Sequence, residues 1–135
     1  MFKQKPIRKA KVDTLIGPKT RINGDVEFSG GLHLDGYING NVKGDSAAGT
    51  FLSVSQLGSI EGSVFAPNVI LNGVVNGDIE AAERVELGAK ARVLGNVNYA
   101  IIETAVGAQI NGKLIHRGQG AGNPIEPKSQ DIPEL

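Results

Sequence analysis

The sequence predicts an all-β protein: a right-handed parallel β-helix of about six short turns, flanked by disordered tails. Three observations lead there. A glycine-centred unit recurs six times at intervals of 15 to 22 residues. A short strand with aliphatic residues at alternate positions precedes five of these units. No segment between residues 14 and 116 repeats its apolar residues at the 3.6-residue period of a helix.

The repeated unit reads aliphatic, any residue, Gly, any residue, aliphatic. Along the chain it is Ile22 to Val26, Ile38 to Val42, Ile60 to Val64, Val75 to Ile79, Val93 to Val97 and Ile110 to Leu114. Its glycines are Gly24, Gly40, Gly62, Gly77, Gly95 and Gly112. Each sits between two inward-facing residues, where a missing Cβ permits a sharp corner or a positive φ. Asn and Asp beside these glycines suit the same corners, since both tolerate left-handed backbone and make local turns. The preceding strands are Leu32–Leu34, Leu52–Val54, Val69–Leu71, Val85–Leu87 and Ile102–Thr104. In a strand, residues i and i+2 share one face, and here that face is aliphatic. The one long interval contains residues 44–50, Gly-Asp-Ser-Ala-Ala-Gly-Thr, which reads as a small loop insert.

A repeat of ~17 residues is too short for a strand and a helix and too long for a hairpin alone. It suits one turn of a solenoid with two or three strands, whose branched aliphatics stack from turn to turn. At ~4.8 Å per turn, six turns make a rod roughly 29 Å long. A left-handed hexapeptide helix also has about 18 residues per turn. The uneven spacings fit a strict six-residue rule poorly and favour the right-handed coil, although spacing alone leaves the handedness open.

Composition narrows the function. The 135 residues include no Cys, so disulfides, Cys-based metal sites and Cys nucleophiles are excluded. Lys plus Arg and Asp plus Glu are 14 each, so net charge indicates no particular partner. The charge is uneven, however. Residues 1–11 carry Lys3, Lys5, Arg8, Lys9 and Lys11 and no acid. Residues 1–13 read as a flexible basic arm, 14–116 as the β-helix domain, and 117–135, with Pro124, Pro127 and Pro133, as a disordered tail. The arm is not followed by the apolar stretch of a secretory signal, which leads to the expectation of a cytoplasmic protein or one attached to a membrane from that side.

A solenoid has two ends, each with unpaired strand N–H and C=O groups and a slice of aliphatic core. Soluble solenoids cap these ends; no cap is evident in this sequence. The first turn is expected to display Leu15, Ile16, Ile22 and Val26, and the last Ile102, Ile110, Leu114 and Ile115. Burying roughly 200 Å² on each partner yields on the order of 10 kcal/mol gross. Association costs an estimated ~4–15 kcal/mol. Apolar burial alone is therefore marginal, and a strand ladder completed across the joint would add direction and specificity. Units stacking through two different ends extend into filaments instead of closing.

The glycine repeats, the uncapped ends, the Met-Phe-Lys start and the Pro-bearing tail together resemble the bactofilins, bacterial polymer-forming cytoskeletal proteins. The opening stretches Asp13–Gly17, Ile22–Val26 and Leu34–Val42 look like that family's pattern. The resemblance implies a right-handed, roughly triangular β-helix and nucleotide-independent filaments joined end face to end face without overall polarity. It further implies a scaffold at the cytoplasmic face of the inner membrane, serving cell shape or the placement of cell-wall enzymes and polarity proteins. Met1, Phe2, Lys3 and Lys5 match the family's membrane-attaching start. Two apolar side chains can insert, and each Lys near an anionic surface contributes ~1 kcal/mol. A single arm binds weakly, whereas a filament displaying many arms gains avidity. The competing reading of the arm is a solubilising tail. Nucleic acid is not an expected partner, because the arm lacks interleaved aromatics and the rest of the chain is acidic.

No catalytic, cofactor or metal site is expected. His33 alternates outward between Leu32 and Leu34, and His116 lies at the end of the repeats. The Asn-Gly pairs read as corners, and no GxxxxGK[ST] phosphate loop is present. Two alternatives stay open. One is a hexapeptide-repeat-like acyltransferase, for which only the 44–50 insert could supply a loop; it contains no histidine. The other is a monomeric β-solenoid binding module.

Overall fold

The computed structural model describes residues 12–117, and within them the chain winds through six rungs of three short strands with no helix. The first face stacks Thr14–Ile16, Gly31–Leu34, Phe51–Val54, Asn68–Leu71, Arg84–Leu87 and Ile101–Thr104. The second stacks Arg21–Asn23, Tyr37–Asn39, Ser59–Glu61, Val74–Asn76, Arg92–Leu94 and Gln109–Asn111. The third stacks Val26–Phe28, Val42–Gly44, Val64–Phe65, Ile79–Glu80, Val97–Tyr99 and Leu114–His116. Each face is a six-stranded parallel sheet in which every strand pairs with the strand one rung away. The β-solenoid read from the repeats is therefore present, with three strands per turn.

The register converts the sequence repeat into columns. Ile22, Ile38, Ile60, Val75, Val93 and Ile110 form one inward column on the second face. On the third face Val26, Val42, Val64, Ile79, Val97 and Leu114 form another. The first face contributes two columns because its strands are longer; one runs Ile16, Leu34, Val54, Leu71, Leu87 and Thr104. Members of these columns in the four middle rungs are essentially fully buried. Aliphatic stacks on aliphatic through the middle rungs, so these columns of small and branched side chains fill most of the interior, and Phe51 is the one aromatic among the buried side chains of the described residues.

The corner glycines are required mainly by close approach. A Cβ on Gly77 would stand 2.6 Å from the carbonyl carbon of Gly62 one rung away, and nearer still to its oxygen. Gly40, Gly62, Gly95 and Gly112 meet the preceding glycine in the same way. Gly24, in the first rung, has no neighbour within 4 Å; its φ of 129° accounts for glycine there instead. Beside this column runs a ladder of side-chain caps. Asp25 accepts a hydrogen bond from the Asn41 N–H (2.9 Å), and Asn41 from the Ser63 N–H (3.0 Å). Asp78 accepts from the Asn96 N–H (2.9 Å), and Asn96 from the Lys113 N–H (3.0 Å). The Asx residues beside the glycines thus cap the next rung, a longer-range role than turn preference alone.

Two boundaries differ from the sequence reading. Asp13 belongs to the first rung and not to the arm: its N–H donates to the Gly31 carbonyl at 2.8 Å and its carboxylate accepts from the Gly31 N–H at 3.0 Å. At the other end the Arg117 N–H donates to Tyr99 O at 2.7 Å. The long interval is also shorter as a loop than expected, because Gly44 closes a strand and Thr50 is buried.

Candidate functional site

The faces at the two ends of the coil are where the pattern stops. At one end Thr14–Ile16, Arg21–Asn23 and Val26–Phe28 each pair on one side only; at the other, Ile101–Thr104, Gln109–Asn111 and Leu114–His116 do so. Among the described residues no further strand or helix lies beyond either rung. Inward residues that are buried in mid-rod become accessible here. Leu114 is 49% exposed, whereas Val97, one rung below it in the same column, is at 0%. Ile22, Val26, Ile102 and Ile110 are partly buried, packed against the core from one side.

The structure divides the eight residues expected at the ends into two groups. Ile16, Ile22, Val26, Ile102, Ile110 and Leu114 occupy inward columns. Leu15 and Ile115 do not. Leu15 stacks in register with His33 on the outer side of the first face, and Ile115 with Asn98 on the outer side of the third. The period-2 alternation turns each of them away from its inward neighbour. Both remain exposed, at 62% and 40%, so they form an apolar rim outside the core. Ile16 is only 8% exposed, so the first rung shows less of its core than the last. Ile101 and Val106, 50% and 96% exposed, extend the apolar surface of the last rung.

One polar constellation escaped the sequence reading. His33 Nδ1 lies 3.1 Å from Ser53 Oγ, and its Nε2 lies 3.1 Å from Asp35 Oδ1. Hydrogen bonding from Ser55 and the charge of His33 hold Asp35 below the usual carboxylate range, against some desolvation. His33 and Asp35 stand two residues apart in the second rung, and Ser53 lies opposite His33 one rung on, so only the histidine–aspartate half had a local signal. Serine, histidine and aspartate in a chain suggest acyl transfer, but the surroundings do not support it. The trio lies on the outer side of a sheet whose backbone N–H groups are spent in the ladder, so the two strands that carry it offer no pair of backbone donors for an oxyanion. Arg84 makes a comparable surface network, with Glu86 at 3.0 Å and with Glu103; both hydrogen bonds raise its pKa further.

The loop after Gly44 borders two shallow grooves, one lined by Glu27, Phe28, Ser29, Lys43, Gly44 and Asp45 and the other including Asp13, Ser29, Asp45 and Thr50. Neither histidine is on this loop; His33 lies in a first-face strand and His116 in the last strand, its ring 5.5 Å from that of Tyr99. Among the described residues no group of three or more His, Asp or Glu side chains could hold a metal ion, and no helix is long and apolar enough to cross a membrane. The arm residues Met1, Phe2, Lys3 and Lys5, and the tail from residue 118, lie outside the described residues.

Among the described residues, stacked rungs with an uncovered edge at each end define a β-solenoid. The chain belongs to the bactofilin family: the family described as polymer-forming cytoskeletal matches residues 14–115. It is 35% identical over 102 residues to bactofilin BacO of Myxococcus xanthus (strain DK1622), covering 76% of this chain and 78% of that protein. To bactofilin BacP of the same organism it is 30% identical over 102 residues, covering 76% of this chain but only 41% of BacP. No solved structure matches. Membership makes this a polymer-forming cytoskeletal protein, which associates with itself.

Proposed function

We propose that the protein is a nucleotide-independent filament scaffold whose subunits join through their end rungs, and whose basic N-terminal arm holds the filament against the cytoplasmic face of the inner membrane. The observation that carries the joint is the exposure of core-column residues at the last rung, Leu114 above all, beside three strands with an unpaired edge. A copy placed there buries the apolar slice and completes the ladder at once. The apolar rim residues Leu15, Ile101, Val106 and Ile115 widen the contact beyond the core. Support for the arm is its composition, with Met1, Phe2, Lys3 and Lys5 together and no acid before Asp13. On this reading the filament is a platform that positions cell-wall enzymes or polarity proteins.

The test uses the purified full-length chain. Negative-stain microscopy without nucleotide should show filaments, and these should co-sediment with vesicles containing anionic lipid. Deleting residues 1–11 should release the filaments from vesicles without shortening them. A chain that stays a single particle at high concentration would sink the joint; unchanged vesicle binding after the deletion would sink the arm.

A further inference from the structure

We propose that the Asn111–Gly112 pair on the last rung is a self-modification site: the unassembled chain converts Asn111 to aspartate and isoaspartate, and a second copy seated on that rung prevents it. Five Asn-Gly pairs occur in the sequence, at Asn23, Asn39, Asn72, Asn76 and Asn111. All five share one chemistry. The glycine amide nitrogen attacks the asparagine Cγ, a new C–N bond closes a five-membered succinimide, and the side-chain nitrogen leaves as ammonia with the amide proton. Water then opens the ring at either carbonyl. One opening gives aspartate; the other leaves the main chain running through the side chain, as isoaspartate. Nothing is oxidised or reduced, and the sum is asparagine plus water giving aspartate plus ammonium. Glycine suits the closure because no Cβ hinders the approach.

The fold decides which pair can react. The amide nitrogen must lose its proton and swing towards Cγ, and a rung stacked ahead of the glycine opposes both movements. In this coil the motif glycine donates forward, to the carbonyl of the residue before the next motif glycine. Gly24 donates to Asn39 O at 2.9 Å, Gly40 to Glu61 O at 3.0 Å, Gly62 to Asn76 O at 3.1 Å and Gly95 to Asn111 O at 3.1 Å. Among the described residues Gly112 has no rung ahead of it and its N–H has no acceptor. Asn111 closes the strand Gln109–Asn111, which pairs on one side only. Both Asn111 and Gly112 are exposed.

The other four pairs are held. Asn23–Gly24 is the sharpest comparison, since it too is exposed, at the opposite end of the rod. Its glycine amide faces into the coil and is spent on Asn39, as that of Gly40 is spent on Glu61. Gly73 is buried, and the Asn72 side chain lies against Gly88, where an added Cβ would strike its amide. The Gly77 N–H has no such acceptor among the described residues, but Gly95 roofs it over: a Cβ on Gly95 would stand 2.3 Å from the Gly77 oxygen. Exposure combined with the direction of the ladder therefore singles out Asn111.

The products alter the end face. Aspartate adds a charge between Ile110 and Leu114, at the rim of the apolar slice. Isoaspartate lengthens the backbone by one carbon just before the strand Leu114–His116. Either change spoils a surface that a second copy has to match. Conversely, a copy that completes the ladder takes up the Gly112 N–H and fixes its strand. The chemistry is independent of the end joint, whereas its suppression in the filament rests on that joint.

The experiment incubates the full-length protein in mildly alkaline buffer, dilute enough to stay unassembled and, in parallel, as filaments. Peptide mapping by mass spectrometry gives the rate at each Asn-Gly pair, and labelling with an isoaspartate methyltransferase identifies the product. In the dispersed chain Asn111 should react at least about tenfold faster than Asn23 and Asn39, the factor that one hydrogen bond of ~1.4 kcal/mol supplies. In urea the five rates should converge, because the fold no longer separates them. In filaments the Asn111 rate should fall by a similar factor, and chains aged while dispersed should lose assembly in step with modification. Asn111→Gln, whose longer side chain closes a ring far more slowly, should age without that loss. An Asn111 rate no greater than that of Asn23 or Asn39 in the dispersed chain would overturn the proposal, and so would a preference for Asn111 that persists in urea. This comparison lies within the wild-type molecule, so it decides the site even if a variant misfolds or no filament forms. Undiminished modification of Asn111 in filaments would uphold the site, overturn its protection and count against the last rung as a joint.

Discussion

Replacing Leu114 by arginine separates a joint at the end face from every reading in which that face stays wet. Leu114 ends the inward column above Val97 and is 49% exposed in the single chain. Full burial of a leucine is worth ~1.5–3 kcal/mol, so closing the joint over the exposed half yields about 1 kcal/mol. Arginine forfeits that gain and places an unpaired charge in the joint, at a cost of several kcal/mol. A total near ~4 kcal/mol weakens the joint by nearly a thousandfold, since ~1.4 kcal/mol is a factor of ten. The fold itself should tolerate the change, because half of the side chain is already in solvent. The concentration needed for filaments, measured by high-speed sedimentation and negative stain, should rise by about that factor while circular dichroism and the melting temperature stay close to wild type. Ile115→Arg is the internal control. It alters the adjacent residue, which points out of the core beside Asn98, and it should shift assembly far less. A folded Leu114→Arg protein that forms filaments at the wild-type concentration would refute the reasoning.

Further expectations concern the rungs. Gly77→Ala should lower stability by at least ~2 kcal/mol in urea unfolding, because its Cβ collides with backbone that cannot move independently; Gly17→Ala, with nothing within 4 Å, should be close to neutral. Asp78→Ala removes the acceptor for the Asn96 N–H and should cost ~0.5–1.5 kcal/mol in the same assay. Asp35 has a lowered pKa in the fold, so its contribution is present above the ordinary carboxylate range and is lost as pH falls through the folded value. The stability difference between wild type and Asp35→Asn should accordingly shrink on acidification, as read from melting temperatures across a pH series.

Much of this architecture was legible in the chain because a solenoid is built from local repetition. Ile22, Ile38, Ile60, Val75, Val93 and Ile110 announce their column by recurring in one pattern, and stacking needs only that each rung resemble the one before it. The glycines were legible for the same reason, although their cause lies in the neighbouring rung. Other features depend on which residues come to lie side by side one turn apart. The interval varies, and nothing in Ser53 or Arg84 taken alone names its partner. The His33–Ser53 bond, the Arg84–Glu103 pair and the Asx caps running from rung to rung all belong to this group. The turning away of Leu15 and Ile115 sits between the two groups. Strict alternation beside Ile16 and Leu114 implied it, but an end rung was read as one apolar surface, and only the register separated core from rim. Sequence by itself thus determined a coil of strands with an aliphatic interior, because periodicity is a property of the chain. Tertiary structure decided what stands next to what on the outside, because lateral neighbours are set by the exact length of every intervening turn.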